Sequence, residues 1–420
     1  MISLKTIELL EAFVNQIKEN ANDYFFKNRH RKSPSDFSRK RTLEFAVVLM
    51  IMLNFKTKSN ALSVYNFAAE TKSIELVSRQ AYETARDKIN SSAFKEVFED
   101  GVKLALSVDD PKTFCGFRVC PIDGSLALLP TSAALAKKYG PKTPVEGKTY
   151  ARISLCVDVL NGVVLDGGIA NFSTGERKLA VRHIEKNLSP DLLYLYDRGY
   201  WDPKLVSSMC GKGQKFLMRV AQNAVSAIFR SDTDSGDFIL KHKGSKYPLR
   251  YYKFELSSGE MEYLVTNLSR EEIPDSELPE LYHLRWGIET KYDELKNRLQ
   301  FEGFSGESVN VVEQEFYASM AVMNITGFTI AAADAKVKAE REGKGNKYEY
   351  KPNGNMAAGI LKDRLIRAII ADDPEIRAEM LNKLVNDISR FVVPIIPDRH
   401  KPRTTNKAKH KRTRNRISPL

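Results

Sequence analysis

Two apolar, strand-like segments of this chain each lead to an aspartate. The first begins at Phe117 and reaches Asp123-Gly124-Ser125, and the second begins at Leu192 and reaches Asp197. Buried parallel strands appear as continuous apolar runs, and open α/β sheets present functional side chains in the crevice beyond the strand ends. The pattern predicts an α/β domain whose sheet brings both carboxylates to one edge. Each aspartate also has a simpler explanation, because Asp-Gly is a common hairpin dipeptide and aspartate often opens a turn.

A helical segment further along the chain supplies a third carboxylate. At about 100° of rotation per residue, four polar side chains fall within an arc of roughly 60°: Tyr282, Arg285, Glu289 and Lys296. Leucines and isoleucine occupy a neighbouring arc, so the spacing predicts one helix with a polar stripe along the edge of the core. The alternative is an ordinary i,i+4 ion pair between Arg285 and Glu289 on a solvated face. Two aspartates from strands and one glutamate from a helix can converge on a pair of divalent cations.

These residues resemble the DDE transposases of bacterial insertion sequences, in particular the fourth insertion-sequence family. The signature of that family is Tyr, two residues, Arg, three residues, Glu, six residues and Lys, and this chain matches it without gap or substitution. The contexts of Asp123 and Asp197 also look like the family, and the resemblance covers roughly residues 115–310. It implies an α/β fold with an RNase H-like mixed sheet flanked by helices. It also implies that Asp123, Asp197 and Glu289 are catalytic and hold two Mg²⁺ ions, with Mn²⁺ as a substitute.

The resemblance further implies a cut-and-paste transposase. Such an enzyme binds the terminal inverted repeats of its own element, hydrolyses phosphodiester bonds and transfers 3′-OH ends to target DNA, as a homodimer in the synaptic complex. Arg285 and Lys296 are expected to bind phosphates near the scissile bond, and Tyr282 to hydrogen-bond a phosphate. The chain has no GxxxxGK motif followed by Ser or Thr, in agreement with a reaction that needs no nucleotide cofactor. The alternatives are a DNA-binding repressor or architectural protein, and a metal-dependent DNA nuclease without strand transfer.

Further contacts with double-stranded DNA are predicted from charge and position. The basic side chains concerned are Arg79, Arg86, Lys137, Lys138, Lys142 and Arg198. The first two lie in a segment interpreted as the second helix of a pair, where side chains near a helix N-terminus reach DNA. The three lysines lie in a stretch interpreted as a flexible loop that follows a phosphate backbone, with a solvated surface connection as the alternative.

The interval between Asp197 and Glu289 is longer than the predicted core needs. Turn-rich and alternating runs in residues 221–260 predict a β-rich insertion. Related transposases carry strands here, and in some of them a tryptophan of the insertion stacks on a flipped base. Both tryptophans of this chain lie outside the interval, so Tyr247, Tyr251 and Tyr252 are the candidates for stacking.

A change from helical to strand-like patterns near residue 111 sets the predicted domain order. The parts are an all-α DNA-binding domain (1–110), the first part of the catalytic core (111–220), the β-rich insertion (221–260), the rest of the core with C-terminal helices (261–397), and a basic disordered tail (398–420). The formal net charge is +12, and removing the nine Lys and Arg of residues 399–420 leaves +3. Such a tail is expected to bind a polyanion through counterion release, the alternatives being a solubility tail or non-specific adhesion to RNA.

The remaining composition predicts a cytoplasmic protein, and the resemblance implies that it is bacterial and associated with the nucleoid. The four cysteines lack the spacing of zinc ligands and indicate reduced thiols. The longest apolar run, Phe45 to Leu53, is too short to span a bilayer and is interpreted as a buried helix. No membrane partner is therefore expected.

Overall fold

The computed structural model describes residues 2–54, 59–71, 74–140, 147–186, 189–256 and 258–396. The chain divides into two compact units. A helical unit combines Met1–Asp23, Arg39–Glu83 and Ile325–Leu420, and a sheet unit combines Tyr24–Ser38 with Thr84–Asn324. The predicted domain boundaries, at residue 110 and at residue 397, stay predictions beside this division by contacts. The basic tail and Lys142 lie outside the described residues.

The α-helices of the described ranges cover most of the first 106 residues and most of the chain after residue 308. They are α1 (Ile2–Asn22), α2 (Tyr24–His30), α3 (Phe45–Met52), α4 (Asn60–Thr71), α5 (Arg79–Asp87), α6 (Ser92–Leu106), α7 (Ala133–Tyr139), α8 (Glu176–Glu185), α9 (Pro203–Gly211), α10 (Ser226–Phe229), α11 (Leu278–His283), α12 (Gly287–Asp293), α13 (Val309–Arg341), α14 (Gly354–Ile370) and α15 (Pro374–Ser389). The prediction of a helical N-terminal region is confirmed. So is the buried helix at Phe45, because Val48, Leu49 and Ile51 of α3 are buried.

The strands form one large mixed sheet and one small two-stranded sheet. They are β1 (Arg118–Leu129), β2 (Thr149–Asp158), β3 (Val163–Asn171), β4 (Leu192–Tyr196), β5 (Lys215–Val220), β6 (Ser235–His242), β7 (Ser245–Glu255), β8 (Met261–Thr266), β9 (Glu349–Pro352) and β10 (Val392–Ile395). The large sheet has the order β3-β2-β1-β4-β5-β8-β7-β6, and β9 pairs with β10.

The centre of the large sheet is parallel and both of its sides are antiparallel. β4 pairs in parallel with β1 and with β5, whereas β2 and β3 add antiparallel strands beyond β1. On the other side β8 pairs antiparallel with β5, so the strands between Asp197 and Glu289 extend the same sheet. The mixed α/β fold is as predicted. The β-strands of the expected insertion are present, and they continue the central sheet.

Three local patterns of the sequence can be compared with the structure: Asn161-Gly162 predicts a hairpin turn, Ser173-Thr174-Gly175-Glu176 predicts a capping box that opens a helix, and the run from Asp202 to Cys210 predicts another helix. The β2–β3 hairpin turns at Asn161-Gly162, where Gly162 has a φ of +70° that glycine adopts without strain. The helix predicted after Ser173 is α8, but its N-cap is Gly175 without a side-chain hydrogen bond, so the predicted capping box is wrong. The helix predicted at Asp202 is α9, and the carboxylate of Asp202 accepts a hydrogen bond from the Lys204 amide.

The long helix α13 is apolar enough to cross a membrane by length and composition. However, 83% of its most apolar window is buried inside the fold, as in the core helix of a soluble protein. In the sheet unit, Asn324 accepts a hydrogen bond from the Val164 amide at 2.8 Å and donates to the Val164 carbonyl at 3.0 Å. The first part of α13 therefore packs against β3.

Candidate active site

The two predicted aspartates lie on neighbouring strands at the point where these strands separate. The parallel register of β1 and β4 ends with Pro121 beside Leu195, two residues before Asp123 and Asp197 respectively. β4 ends at Tyr196, whereas β1 continues to Leu129 with β2 as its partner. Asp123 therefore lies within a strand and not at its end, and the hairpin alternative for Asp123-Gly124 is wrong. The two carboxylates lie close enough for the charge of Asp197 to act on Asp123.

Both aspartates have the same local geometry. Oδ1 of Asp123 accepts the Gly124 amide at 2.8 Å, and Oδ1 of Asp197 accepts the Arg198 amide at 2.8 Å. Among the described residues, Oδ2 of each carboxylate makes no hydrogen bond. Each aspartate is thus held by its own backbone and keeps an oxygen available for a further ligand.

The segment that carries the third carboxylate is helical, but its pitch changes three times. α11 is followed by a 3₁₀ turn at Leu284–Trp286, by α12, and by a π-helical turn at Glu294–Arg298 in which the Leu299 amide donates to the Glu294 carbonyl at 2.9 Å. Because 3₁₀ and π turns rotate by other amounts than an α-helix, the assumed 100° per residue does not hold. The predicted single stripe is wrong: Tyr282 and Arg285 are buried, whereas Glu289 is exposed.

Two tyrosines connect this segment to the aspartates. The Tyr282 hydroxyl donates to Oδ1 of Asp197 at 3.4 Å, and the Tyr292 hydroxyl donates to the carbonyl oxygen of Asp123 at 2.7 Å. Close packing holds α12 in place, since a Cβ on Gly287 would lie 2.8 Å from Cγ1 of Val159. α12, which bears Glu289 one turn before Tyr292, therefore lies against β1 at Asp123.

The structure brings the two aspartates together but does not include Glu289 in a closed cluster. Within the described ranges, no three His, Cys, Asp or Glu side chains are close enough to hold a metal ion. The donor chemistry of the two aspartates nevertheless fits a hard divalent cation, because such ions take carboxylate oxygens and each aspartate has an uncommitted Oδ2. Glu289 lies in the first turn of α12 with an exposed side chain.

The two basic residues of the signature are placed differently from each other. Arg285 is buried, its guanidinium lies 4.5 Å from the Trp286 ring centroid, and its Nε has no hydrogen-bond partner in the described part of the chain. Lys296 donates to the Leu126 carbonyl of β1 at 2.6 Å and lies 3.6 Å from Glu302. A buried donor without a partner normally indicates a missing acceptor, which a substrate phosphate can supply.

Two further carboxylates near the site were not predicted as site residues. Glu176, at the start of α8, pairs with Arg152 at 2.6 Å, and its Cγ lies 2.8 Å from where a Cβ on Gly124 would be. Glu262 of β8 is buried 3.1 Å from Arg219, which itself lies 4.0 Å from Asp197. Sequence reasoning used Glu176 only as a helix-capping residue. Neither arginine lies in a recognisable motif, so their positions follow from strand register alone.

Burial dominates the electrostatics of Asp123. Desolvation raises the pKa of its carboxyl, the Gly124 amide and the Arg285 charge lower it, and the nearby Glu176 and Asp197 raise it further. The net shift is upward, so the folded protein resists ionisation of this group more than the unfolded chain does.

This shift predicts that Asp123→Asn stabilises the protein without metal or DNA. A carboxyl whose pKa is raised in the folded state contributes full stability at low pH, and this contribution is lost as the pH rises through the folded pKa. We therefore expect a higher melting temperature for Asp123→Asn than for wild type at about pH 7, and equal values towards about pH 4, near the ordinary aspartate pKa. Thermal melts in EDTA across this range measure the difference. A variant that melts below wild type at neutral pH would contradict the prediction.

The other predicted DNA contacts are not all accessible. Lys137 and Lys138 belong to α7 instead of a flexible loop; Lys137 is exposed, and Lys138 pairs with Glu313 at 2.6 Å. Arg198 is exposed in the 3₁₀ turn after Asp197. Arg79 is exposed on α5 and pairs with Glu83 at 2.7 Å.

Arg86 is a correction to the predicted set of DNA contacts. Its side chain is 3% exposed and donates to Gln314 and Glu315, each at 2.9 Å. Glu315 of α13 is equally buried, so the pair is an internal ion pair of the sheet unit. The sequence placed Arg86 near the N-terminus of a helix expected to contact DNA, but a partner 229 positions later in the chain determines its environment.

The tyrosines considered for base stacking also differ in accessibility. Tyr251 is 4% exposed, and its hydroxyl hydrogen-bonds Ser231 and Thr233, so it is not available for stacking in this structure. Tyr252 is partly buried and stacks on Phe254 with ring centroids 6.1 Å apart. Tyr247 is half-exposed on β7 and remains a candidate.

Two carboxylates thus lie near the buried Arg285 at the point where two parallel strands separate, a combination of groups suited to a cation and a phosphate. A family model described as Transposase DDE domain matches residues 115–325. The chain belongs to this family of transposases with a DDE domain.

The proteins similar to the chain include one relative and one solved structure. Over 266 residues it is 22% identical to the transposase InsG for insertion sequence element IS4 of Escherichia coli (strain K12), covering 58% of this chain and 59% of that protein. The chain thus spans about three fifths of the length of this relative. A cryo-EM structure of the piggyBac transposase synaptic complex with hairpin DNA aligns over 96% of this chain and 88% of that chain, at 12% identity and a TM-score of 0.45.

Proposed function

We propose that the protein is a cut-and-paste transposase that binds the terminal inverted repeats of its own insertion sequence, cleaves there and joins the 3′-OH ends to target DNA. The observation that carries this proposal is the placement of Asp123 and Asp197 side by side, with Tyr282 and Tyr292 joining them to the segment that bears Glu289. A protein that only binds DNA has no need for carboxylates converging on a phosphate site.

The strand arrangement supports an RNase H-like catalytic core. The order β3-β2-β1-β4-β5, with β2 antiparallel and β4 and β5 parallel to β1, follows the three strands, helix, strand, helix and strand of the sequence. In this core the first acid comes from β1, the second follows β4, and the third comes from a helix after the sheet.

A divalent metal ion, Mg²⁺ in the first place, is proposed as the cofactor. Asp123 and Asp197 would hold it through their free oxygens, and Glu289 would complete the ligand set. When bound, such ions activate the attacking oxygen and stabilise the departing 3′-oxygen. We propose that the exposed Glu289 side chain reaches the aspartates by a change of rotamer on the packed helix α12, when DNA and metal enter.

The basic side chains of the site bind and orient the substrate. Arg285 offers a buried Nε without a partner to a phosphate oxygen, and its stacking on Trp286 fixes the plane of the guanidinium. The Lys296 ammonium group, which donates to the Leu126 carbonyl, either leaves this carbonyl for a phosphate or contacts both at once. The Tyr282 hydroxyl donates either to Asp197 or to the DNA. Together these groups hold the scissile phosphate over the carboxylates.

The natural assembly is proposed to be a homodimer on two element ends, acting on the nucleoid in the bacterial cytoplasm. Two ends have to be joined in one event, and the basic residues after position 398 are suited to non-specific contacts with DNA. Neither a membrane nor a nucleotide cofactor has a part in the proposed reaction.

One assay distinguishes the proposal from its alternatives. The protein is incubated with Mg²⁺, a labelled fragment carrying an end of its element and a supercoiled target plasmid. A transposase produces nicked or excised ends and joined products. A nuclease produces cleavage without joining, and a repressor shifts the fragment in a gel and leaves it intact. Failure to cleave in Mg²⁺ and in Mn²⁺, despite specific binding of the end, would refute the transposase proposal.

A further inference from the structure

A chain of polar side chains leads through the sheet unit to the backbone of Asp123. Lys186 Nζ lies 2.7 Å from Asp166 Oδ1, and Asp166 Oδ2 lies 2.7 Å from His183 Nδ1. His183 Nε2 lies 2.9 Å from the hydroxyl of Ser154, and this hydroxyl donates to the carbonyl oxygen of Asp123 at 3.1 Å. The chain connects β3, α8, β2 and β1 in that order.

The middle members of this chain are sealed from solvent. Ser154 is 0% exposed, His183 3% and Asp166 4%. Carboxylate, imidazole and hydroxyl follow each other as in the triad of serine hydrolases, where the hydroxyl attacks a substrate carbonyl. A fully buried Ser154 cannot meet a substrate, so the arrangement does not serve nucleophilic catalysis.

The carboxylate of Asp166 and the donors around it match each other in charge and in hydrogen bonding. Burial alone would raise the pKa of Asp166, but the hydrogen bond from His183 and the charges of His183 and Lys186 hold it below its ordinary value. Asp166 is then an acceptor only, and His183 donates to it through Nδ1. Nε2 of His183 lies 2.9 Å from the Ser154 oxygen, so the ring holds this hydroxyl in place beside the Asp123 carbonyl. Buried networks with every member satisfied make a local structure rigid.

The Asp123 carbonyl is also the acceptor of the Tyr292 hydroxyl at 2.7 Å. One backbone oxygen thus receives a bond from the buried chain on β2 and a bond from the helix that bears Glu289. The carboxylate of the same residue is held to the next amide, that of Gly124, so its position follows the backbone.

We propose that the Lys186–Asp166–His183–Ser154 chain is a positioning device that fixes the backbone of Asp123, and hence its carboxylate, relative to α12. This inference rests on the proposed function for its catalytic consequence, but its structural part can be tested without any catalysis. Ser154 and His183 are positioning residues, because they act on the substrate site through Asp123.

The protein offers closely matched variants that test this positioning role. Ser154→Ala removes only the hydroxyl. Ser154→Thr keeps a hydroxyl and adds one methyl group, and its register partner on β3 is Gly168, where an added Cβ would meet no atom within 4 Å. Ser92→Ala is the control: Ser92 lies 2.8 Å from His30, which also lies 2.7 Å from Glu96, so the same three groups meet in the sheet unit away from Asp123.

The first measurement is hydrogen exchange of the full-length protein without DNA or metal. We expect faster exchange in peptides that cover residues 118–129 for Ser154→Ala, at wild-type rates elsewhere, and near-wild-type exchange there for Ser154→Thr and Ser92→Ala. Unchanged exchange at 118–129 in Ser154→Ala overturns the inference, whether or not the protein cleaves DNA.

The second measurement is the Mg²⁺-dependent cleavage of an element end. We expect Ser154→Ala to lower kcat by about 10- to 100-fold, the usual effect of losing an outer hydrogen-bond partner of a metal ligand, while KM for DNA stays within about twofold. Recovery in Ser154→Thr and normal kcat in Ser92→Ala support positioning. Equal losses of kcat and of melting temperature in all three variants would show that these hydrogen bonds have only a general structural role. This result would overturn the inference. A wild type that does not cleave refutes the proposed function and leaves the exchange result to decide the inference.

Discussion

Glu289→Gln is expected to leave binding of the element end unchanged and to abolish its cleavage. The amide keeps the size and hydrogen-bonding ability of the side chain but loses the negative charge that a divalent ion requires. Glu289 is exposed and makes no ion pair within the described residues, so its replacement removes no packing. The loss should exceed the about 10- to 100-fold that follows from removing an outer partner of a metal ligand. Gel-shift and single-turnover cleavage assays with the same labelled DNA measure both quantities.

The chain contains a suitable control for this prediction. Glu280 is exposed on α11, nine positions before Glu289, and Glu280→Gln changes the net charge equally. We expect wild-type cleavage from it. Asp123→Asn and Asp197→Asn should share the defect of Glu289→Gln, since all three are proposed to hold the same ions. Comparable nicking by Glu289→Gln and wild type would show that Glu289 is not a ligand of the proposed ions. The two aspartates would then be the only carboxylates of the proposed ligand set.

The second large effect is expected at Arg86, on stability and not on DNA binding. Arg86→Ala removes the cation that pairs with the buried Glu315 carboxylate, which keeps its hydrogen bonds from Ser305, and Gln314 loses a donor as well. Breaking a buried ion pair on one side typically costs about 3–5 kcal/mol. The free energy of unfolding, measured by urea denaturation, should fall by this amount, while the affinity of the folded variant for DNA should stay at the wild-type value.

Arg79 provides the comparison within the same helix. It is exposed and pairs with Glu83 on the helix surface, so Arg79→Ala should cost about 0.3–0.5 kcal/mol, as exposed i,i+4 pairs do. If Arg79 contacts DNA as the sequence predicts, its variant should lose affinity in a salt-dependent manner. The opposite result, a stable Arg86→Ala protein with weakened DNA binding, would show that Arg86 leaves its buried position to reach DNA.

The strands and most helices could be predicted from the sequence because each is defined by local pattern. Apolar runs before Asp123 and Asp197, the Asn161-Gly162 turn and the cap at Asp202 all depend on residues that are neighbours in the chain. The pairing of the two aspartates could also be inferred, because adjacent parallel strands bring equivalent positions together. The matching signature of residue spacings then indicated the family that the comparison with known proteins shows.

The remainder depends on contacts between distant parts of the chain, which no local pattern contains. The changes of pitch in the segment from α11 to the π-helical turn arise where its residues adapt to β1 and Val159. Arg86 was interpreted from its place in its own helix, while its partner lies on α13. Glu176 is adjacent to Asp123 because Gly124 leaves space for it. In each case the decisive neighbour is far away in sequence.

The pairing of β8 with β5 has a consequence for any attempt to miniaturise this protein. Leu217 lies beside Thr266 and Val220 beside Tyr263, so excision of residues 235–266 would turn β5 into an open border of the sheet. Unpaired amides and carbonyls along such a border invite self-association. Arg219 would at the same time lose Glu262 and turn towards Asp197, its other acidic neighbour. A trimmed version would therefore aggregate and carry an altered charge balance, which makes these strands indispensable to the sheet unit.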